Sequence, residues 1–313
     1  MDLGSLAQGI ARLKRELGAV ILAHNYQPPE VQDVADFVGD SLELSLKVSE
    51  VSAKVVVFCG VDFMAEQASA INEGVTVLHP EPDSKCPMAG MISVEDVRRA
   101  RRIFPKVPVV IYVNSPAAVK AEADYIVTSA NAAEVVKAVE SDVVVFGPDR
   151  HLAEYIAKET GKVVVPVPPY GHCPVHVRFN PDEVRVLKSV YGSCTFIAHP
   201  ECPESIRVLA DFIGSTSQMV KFVRSCQSRC ILVGTEVGIV YRMMKENPDK
   251  LFIPASTSAV CADMKKITLD KVYRSLRDRV HRVEVPKEVA RRVRLAVENT
   301  FRVLGREPPW SRR

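Results

Sequence analysis

Residues 55–90 read VVVFCGVDFMAEQASAINEGVTVLHPEPDSKCPMAG. An apolar run closes on Gly60, an acid follows at Asp62, an amphipathic stretch leads to a second apolar run at Pro80, and Cys86 comes 26 residues after the glycine. The same order returns as VVVFGPD (Gly147, Asp149), VVVPVP (Pro166) and Cys173, and again as CILVGTE (Gly234, Glu236), LFIP (Pro254) and Cys261. The glycine-to-cysteine distances in these copies are 26 and 27 residues. Cys86, Cys173 and Cys261 stand 87 and 88 residues apart, but among eight cysteines about one such spacing arises by chance. The weight therefore falls on the glycines and acids that keep step with them. Each copy predicts strand, helix, strand, cysteine loop.

Another apolar run precedes each copy: AVILAHN, VVIYVN and TFIAHP, ending near Asn25, Asn114 and Pro200. Hydroxyls follow 15 or 16 residues later at Ser41, Ser129 and Thr216, each before a helix-patterned run. Self-similarity in so many features at one period predicts a triplicated unit. β-rich runs alternating with helical ones predict parallel βαβ crossovers with helices over both sheet faces. The expected fold is α/β: three homologous three-layer αβα sandwich domains with parallel sheets around a pseudo-threefold axis, plus C-terminal helices. The expected units are 1–107 (with an N-terminal helix), 108–192 and 193–268, with helices of 269–313 packing on the repeat. Ligands of open parallel sheets bind beyond the carboxyl ends of the strands, so the loops of all three copies point at one central cavity.

Composition limits the function. With 47% apolar and 25% charged residues the chain is neither disordered nor fibrous. A net charge of +3 gives no ground for nucleic acid or an acidic membrane as partner, and the basic clusters at 98–106 and 275–313 read as helix-surface charge. No apolar run approaches the roughly 18 residues that span a bilayer, and the first residues lack a signal-peptide core. Cytoplasmic location is the expectation, and GxxxxGK[ST] and GxGxxG are both absent, which leaves nucleotide-binding readings unsupported.

Hydroxyls at or near three helix N-termini suit a small polyanion, although each also reads as an ordinary cap. Strand ends supply His24 and Tyr26, Tyr112 and Asn114, and His199 and Glu201. A His and a Glu two apart can share proton transfer and a tyrosine can donate to a developing enolate, while each also admits a packing role. Three cysteines without a fourth regular ligand leave an open coordination position. Zinc sites of three cysteines are unusual; a [4Fe–4S] cluster with one free iron would act as a Lewis acid; three merely buried thiols are the bland alternative. Of the other five cysteines, Cys59 and Cys194 are expected in the core. Cys202 adjoins His199 and Glu201 and is expected near the site without serving in it. Cys226 and Cys230, four apart on an expected helix end, read as facing one side; sparse Asn and Gln point to a thermophilic source, where intracellular disulfides occur, so their pairing stays open.

AHNYQPPEVQDVADFVGDSLELS, the CPMA around Cys86, IYVNSPAAVKAEADYIVTSANA, GHCPVH, HPEC, GSTSQM and SAVCADMKKITLDKV together resemble the quinolinate synthase family of NAD biosynthesis, collinearly from about 19 to 300. The resemblance implies condensation of iminoaspartate (iminosuccinate) with dihydroxyacetone phosphate to quinolinate, with loss of phosphate and water. That makes the chain a transferase of condensing-lyase type, functionally linked to the enzyme that supplies iminoaspartate. It implies a [4Fe–4S] cluster on Cys86, Cys173 and Cys261 with the fourth iron open to substrate. It also implies substrate contacts at His24, Ser41, Tyr112, Val113, Asn114, Ser129, His199, Glu201 and Thr216, acid–base work at Tyr26, and a triangle of three αβα domains. Glu201, His199, Tyr26 and Tyr112 are the expected catalytic set. Some members carry CxxCxxC near the last ligand; here Cys261 stands alone in SAVCADM, so a disulfide switch on that run is excluded. The competing functions are a hydro-lyase of the same open-cluster type acting on another hydroxyacid and a non-catalytic iron–sulfur sensor, which would need no proton-transfer set.

Overall fold

Thirteen strands form three sheets in a computed structural model that describes residues 2–51 and 53–312. The first sheet holds β1 (Ala19–His24), β2 (Phe37–Gly39), β3 (Val55–Cys59) and β4 (Thr76–Leu78). The second holds β5 (Val109–Tyr112), β6 (Tyr125–Val127), β7 (Val143–Gly147) and β8 (Val163–Pro166), and the third β9 (Thr195–Ala198), β10 (Phe212–Ile213), β11 (Cys230–Gly234) and β12 (Leu251–Pro254). Each keeps one order, β2-β1-β3-β4, β6-β5-β7-β8 and β10-β9-β11-β12, and all of these pairs are parallel. The fold is α/β with three αβα sandwiches, as the periodicity predicts.

The chemistry of the strands explains the burial. Runs such as VVVF at 55–58 are apolar at every position because helices cover both faces, and Val56, Val57 and Phe58 have no exposed surface. Burying one such side chain contributes about 1.5–3 kcal/mol. Gly147 ends β7 where a Cβ would lie 2.0 Å from Val167 O, so the glycine kept in phase there answers a close backbone approach.

The C-terminal segment departs from a purely helical reading. Helices Leu269–Asp278 and Lys287–Val303 are present, but between them β13 (Arg282–Val283) pairs antiparallel with β4 and extends the first sheet. Two residues are too few to show as a pattern in sequence. We propose the unit limits 107/108, 192/193 and 268/269, each of which falls between elements; the outer limits 1 and 313 lie outside the described residues.

Three hydrogen bonds close the copies into a ring. Gln32 Nε2 donates to Gly238 O (3.1 Å), Lys120 Nζ to Phe63 O (3.2 Å) and Arg207 Nη1 to His151 O. Gly238, Phe63 and His151 each lie in the first turn of the helix after the third strand of a different copy, so the first copy holds the third, the second holds the first and the third holds the second. All three donors are buried.

The remaining cysteines bring one correction. Cys59 and Cys194 are both buried in core clusters as expected, but Cys194 is not free there and forms a disulfide with Cys230. The two sit where the adjacent parallel strands β9 and β11 begin, a juxtaposition set by strand pairing and not by helical spacing. Cys226 is the extended C-cap of the helix Thr216–Ser225, whereas Cys230 starts β11, so they do not share a helix face. Cys202 is fully buried and free.

Candidate functional site

The strands of all three sheets end at one partly open cavity of about 80 Å³. Cys86, Cys173 and Cys261 line it from three loops of the same build. In each, the acid two residues after the phase glycine accepts the cysteine's main-chain N–H: Asp62 from Cys86 (3.2 Å), Asp149 from Cys173 (3.1 Å) and Glu236 from Cys261 (3.0 Å). Three residues on, the N–H of Ala89, His176 or Met264 points at the sulfur, where a short 3₁₀ turn begins. Burial pushes all three thiols up, and these N–H groups oppose it. Cys86 is near enough to both Cys173 and Cys261 for their charges to repel. Three converging sulfurs, each with an amide aimed at it, are a donor set fit to hold a metal group as thiolates. A ligand atom of Cys173, one of His176 and one of Glu201 also lie within 4.8 Å of one another, a further set that could hold a metal ion.

Equivalent strand ends supply the polar wall. His24, Tyr112 and His199 occupy one place in the repeat, and Tyr26, Asn114 and Glu201 the place two residues on; all six line the cavity, with Val113 beside them. The N–H of Tyr26 donates to His24 Nδ1 (3.2 Å) and the N–H of Glu201 to His199 Nδ1 (3.3 Å). Each imidazole is thereby held with its proton on Nε2, and burial takes both down to about 3, reinforced at His24 by the Lys265 charge and opposed at His199 by the Glu201 carboxylate. Both are neutral at physiological pH. His199 Nε2 then donates to Ser129 Oγ (3.2 Å), and the serine hydroxyl in turn hydrogen-bonds the Tyr112 phenol.

Glu201 is the hub. Its Oε1 accepts from the Tyr112 hydroxyl at 2.6 Å, and its Oε2 lies 2.8 Å from His176 Nδ1, without the alignment of a hydrogen bond, and 3.8 Å from His199 Nδ1. Burial works to raise this carboxyl, but His199, His176 and Tyr112 together hold it below the ordinary carboxylate range. Burial, then the Glu201 charge, raises Tyr26 and Tyr112 well above the ordinary phenol, so both stay protonated donors. From His176 Nε2 a chain runs to Thr235 Oγ1 (2.8 Å) and on to the Tyr26 hydroxyl (2.6 Å). The site thus joins an ionised carboxylate, neutral imidazoles and two phenols drawn from all three copies.

The hydroxyls differ from the expectation in one place. Ser41 and Thr216 are the first residues of the helices Ser41–Glu50 and Thr216–Ser225, capped by Asp40 and Ser215. Ser129 lies in a turn, three residues before the helix Ala132–Ala138, because Asn131 Oδ1 accepts from Thr128 N and tightens the chain ahead of the helix. All three still line the cavity. The sequence reading missed His176 and Thr235, and left the three phase acids without a role. His176 stands where the other copies have Ala89 and Met264, and Thr235 where they have Val61 and Pro148, so polar residues that break the repeat were the available signal.

Residues 8–302 match the family model described as Quinolinate synthetase A protein. The chain is 51% identical over 293 residues to a quinolinate synthase of Pyrococcus horikoshii, covering 94% of this chain and 97% of the relative. It is 49% identical over 298 residues to one of Thermococcus kodakarensis (95% and 98%) and 46% identical over 296 residues to one of Thermotoga maritima (95% and 99%).

Proposed function

The chain belongs to the quinolinate synthase family, and on that premise we propose that it condenses iminoaspartate with dihydroxyacetone phosphate to quinolinate, with loss of phosphate and water. The observation that carries this reading is the threefold cysteine loop, with an acid on each amide and an N–H toward each sulfur, beside a Glu201-centred proton network. Cys86, Cys173 and Cys261 would hold a [4Fe–4S] cluster, which supplies a Lewis-acidic iron for the dehydration chemistry.

The chain's own groups account for binding and proton movement. The hydroxyls of Ser41, Ser129 and Thr216, with Asn114, hold the phosphate and carboxylates of the substrates, and the proton on His24 Nε2 adds a neutral donor. Val113 shapes the wall between Tyr112 and Asn114. Glu201, ionised and fixed by Tyr112, takes a proton from a substrate carbon or hydroxyl, and Tyr112 and His199 orient it. Tyr26, coupled through Thr235 to His176, returns a proton where a hydroxyl leaves. Burial keeps water from competing with these transfers.

Anaerobic iron and sulfide analysis beside an assay for quinolinate tests the reading. The expected result is a brown protein that turns over both substrates, while Cys86→Ser, Cys173→Ser and Cys261→Ser each lose the cluster. Full iron content and activity in any one of these variants sinks the assignment. A cluster-bearing protein that dehydrates a hydroxyacid but never yields the aromatic product indicates the hydro-lyase instead.

A further inference from the structure

Thr216 opens its helix with the hydroxyl in the cavity wall, and a hydroxyl in that place can accept or donate. Its neighbours decide which. Arg242 Nη1 donates to Asn25 Oδ1 at 2.7 Å and to Val38 O at 2.8 Å, while Arg242 Nε bonds Glu246 Oε1 at 2.8 Å. A guanidinium has no acceptor, so the Asn25 atom facing it is the amide oxygen and the amide nitrogen is turned the other way. There Asn25 Nδ2 donates to Thr216 Oγ1 at 2.9 Å, in a buried contact between the first and third copies. Among the described residues Thr216 Oγ1 gives its own proton to no protein acceptor, which leaves the O–H for the cavity.

We propose that Arg242 is a positioning residue that acts through Asn25 to preset Thr216 as a hydrogen-bond donor to an anionic group of the substrate. The relay is confined to one of the three interfaces. Eight residues after the phase glycine, where the third copy has Arg242, the other copies have Ala68 and Tyr155; in the place of Asn25 they have Val113 and Pro200. A donor already aligned need not reorient when the anion arrives, so the relay acts on affinity more than on turnover. The inference rests on the proposed reading that Thr216 meets an anionic substrate.

The test uses cluster-loaded protein under anaerobic conditions, with the dissociation constant of quinolinate from calorimetry, kcat and KM for both substrates, and iron content. Three substitutions are compared: Thr216→Val, Arg242→Met and Asn25→Asp. The last retains the partner of Arg242 as an ion pair, but its second carboxylate oxygen draws the Thr216 proton out of the cavity. Each is expected to weaken quinolinate roughly ten- to hundredfold, the range of one hydrogen bond to a charged group. The relay also predicts KM rising with kcat changed less than about twofold, and iron unchanged. Neither Arg242→Met nor Asn25→Asp should weaken binding further on a Thr216→Val background. Equal losses on both backgrounds would reflect charge or packing and overturn the relay. If Thr216→Val weakens binding and the other two do not, the relay alone falls. If Thr216→Val binds quinolinate as the unaltered protein does, Thr216 is no anion contact, and the relay falls with that reading.

Discussion

Glu201 carries its charge in a place almost without water, and what replaces the water is specific: a phenol at 2.6 Å and two imidazoles. Glu201→Gln keeps the shape and one acceptor but removes the base. The expected outcome is a fall in kcat of about 10²–10⁴ with iron content and quinolinate affinity retained. Turnover within about tenfold of the unaltered protein would assign the base elsewhere. Residue by residue, the sequence was legible to the extent that chemistry and repeat agreed. His24, Tyr112 and His199 could be read because they are polar groups on strand ends in equivalent places. The acids Asp62, Asp149 and Glu236 were visible as a pattern, but their task of holding the cysteine amides needs the loop's path, which spacing does not carry. His176 and Thr235 escaped because each looks ordinary until the repeat is laid over itself.

At the level of elements, the long apolar runs were readable because strands covered on both faces must be apolar throughout, and the phase glycines marked their ends. Short features were not readable. β13 is two residues long, and the turn at Ser129 depends on the Asn131 side chain. The Cys194–Cys230 disulfide belongs with these, since it depends on which strands are neighbours. It ties the starts of β9 and β11, the sheet end opposite His199, across a loop of 36 residues. Such a crosslink contributes about 2–4 kcal/mol. Cys194→Ser is therefore expected to lower the thermal midpoint while kcat and KM at moderate temperature stay unchanged. Melting curves with and without reductant check this, and identical midpoints would show that the crosslink contributes nothing to stability.

The whole molecule closes through Gln32, Lys120 and Arg207, each eight residues after His24, Tyr112 or His199. By residue type the three look unrelated. Their shared task, donation to a first-turn helix carbonyl of another copy, appears only once the copies are assembled, which is why the triplication was legible and its fastening was not. Lys120 is the costly member. It is fully buried, its Nζ lies 5.5 Å over the Phe63 ring, and burial lowers its pKa to about 7 despite the opposing charges of Glu66 and Asp62. Below that value the lysine is charged in the folded and unfolded chains alike, and folding bears the full desolvation. Between about 7 and its unfolded value near 10.4, the unfolded chain binds a proton that the folded chain does not, so stability rises with pH, by up to about 1.4 kcal/mol per unit from this group. Lys120→Met loses the bond to Phe63 O but also the titration. The stability of the variant relative to the unaltered protein should therefore be most favourable near pH 6 and decline steadily toward pH 9.5, as read from denaturant midpoints across that range. A difference that does not change with pH would mean that Lys120 keeps its proton in the fold, held by Glu66 and Asp62 as an ion-paired clasp between the first and second copies.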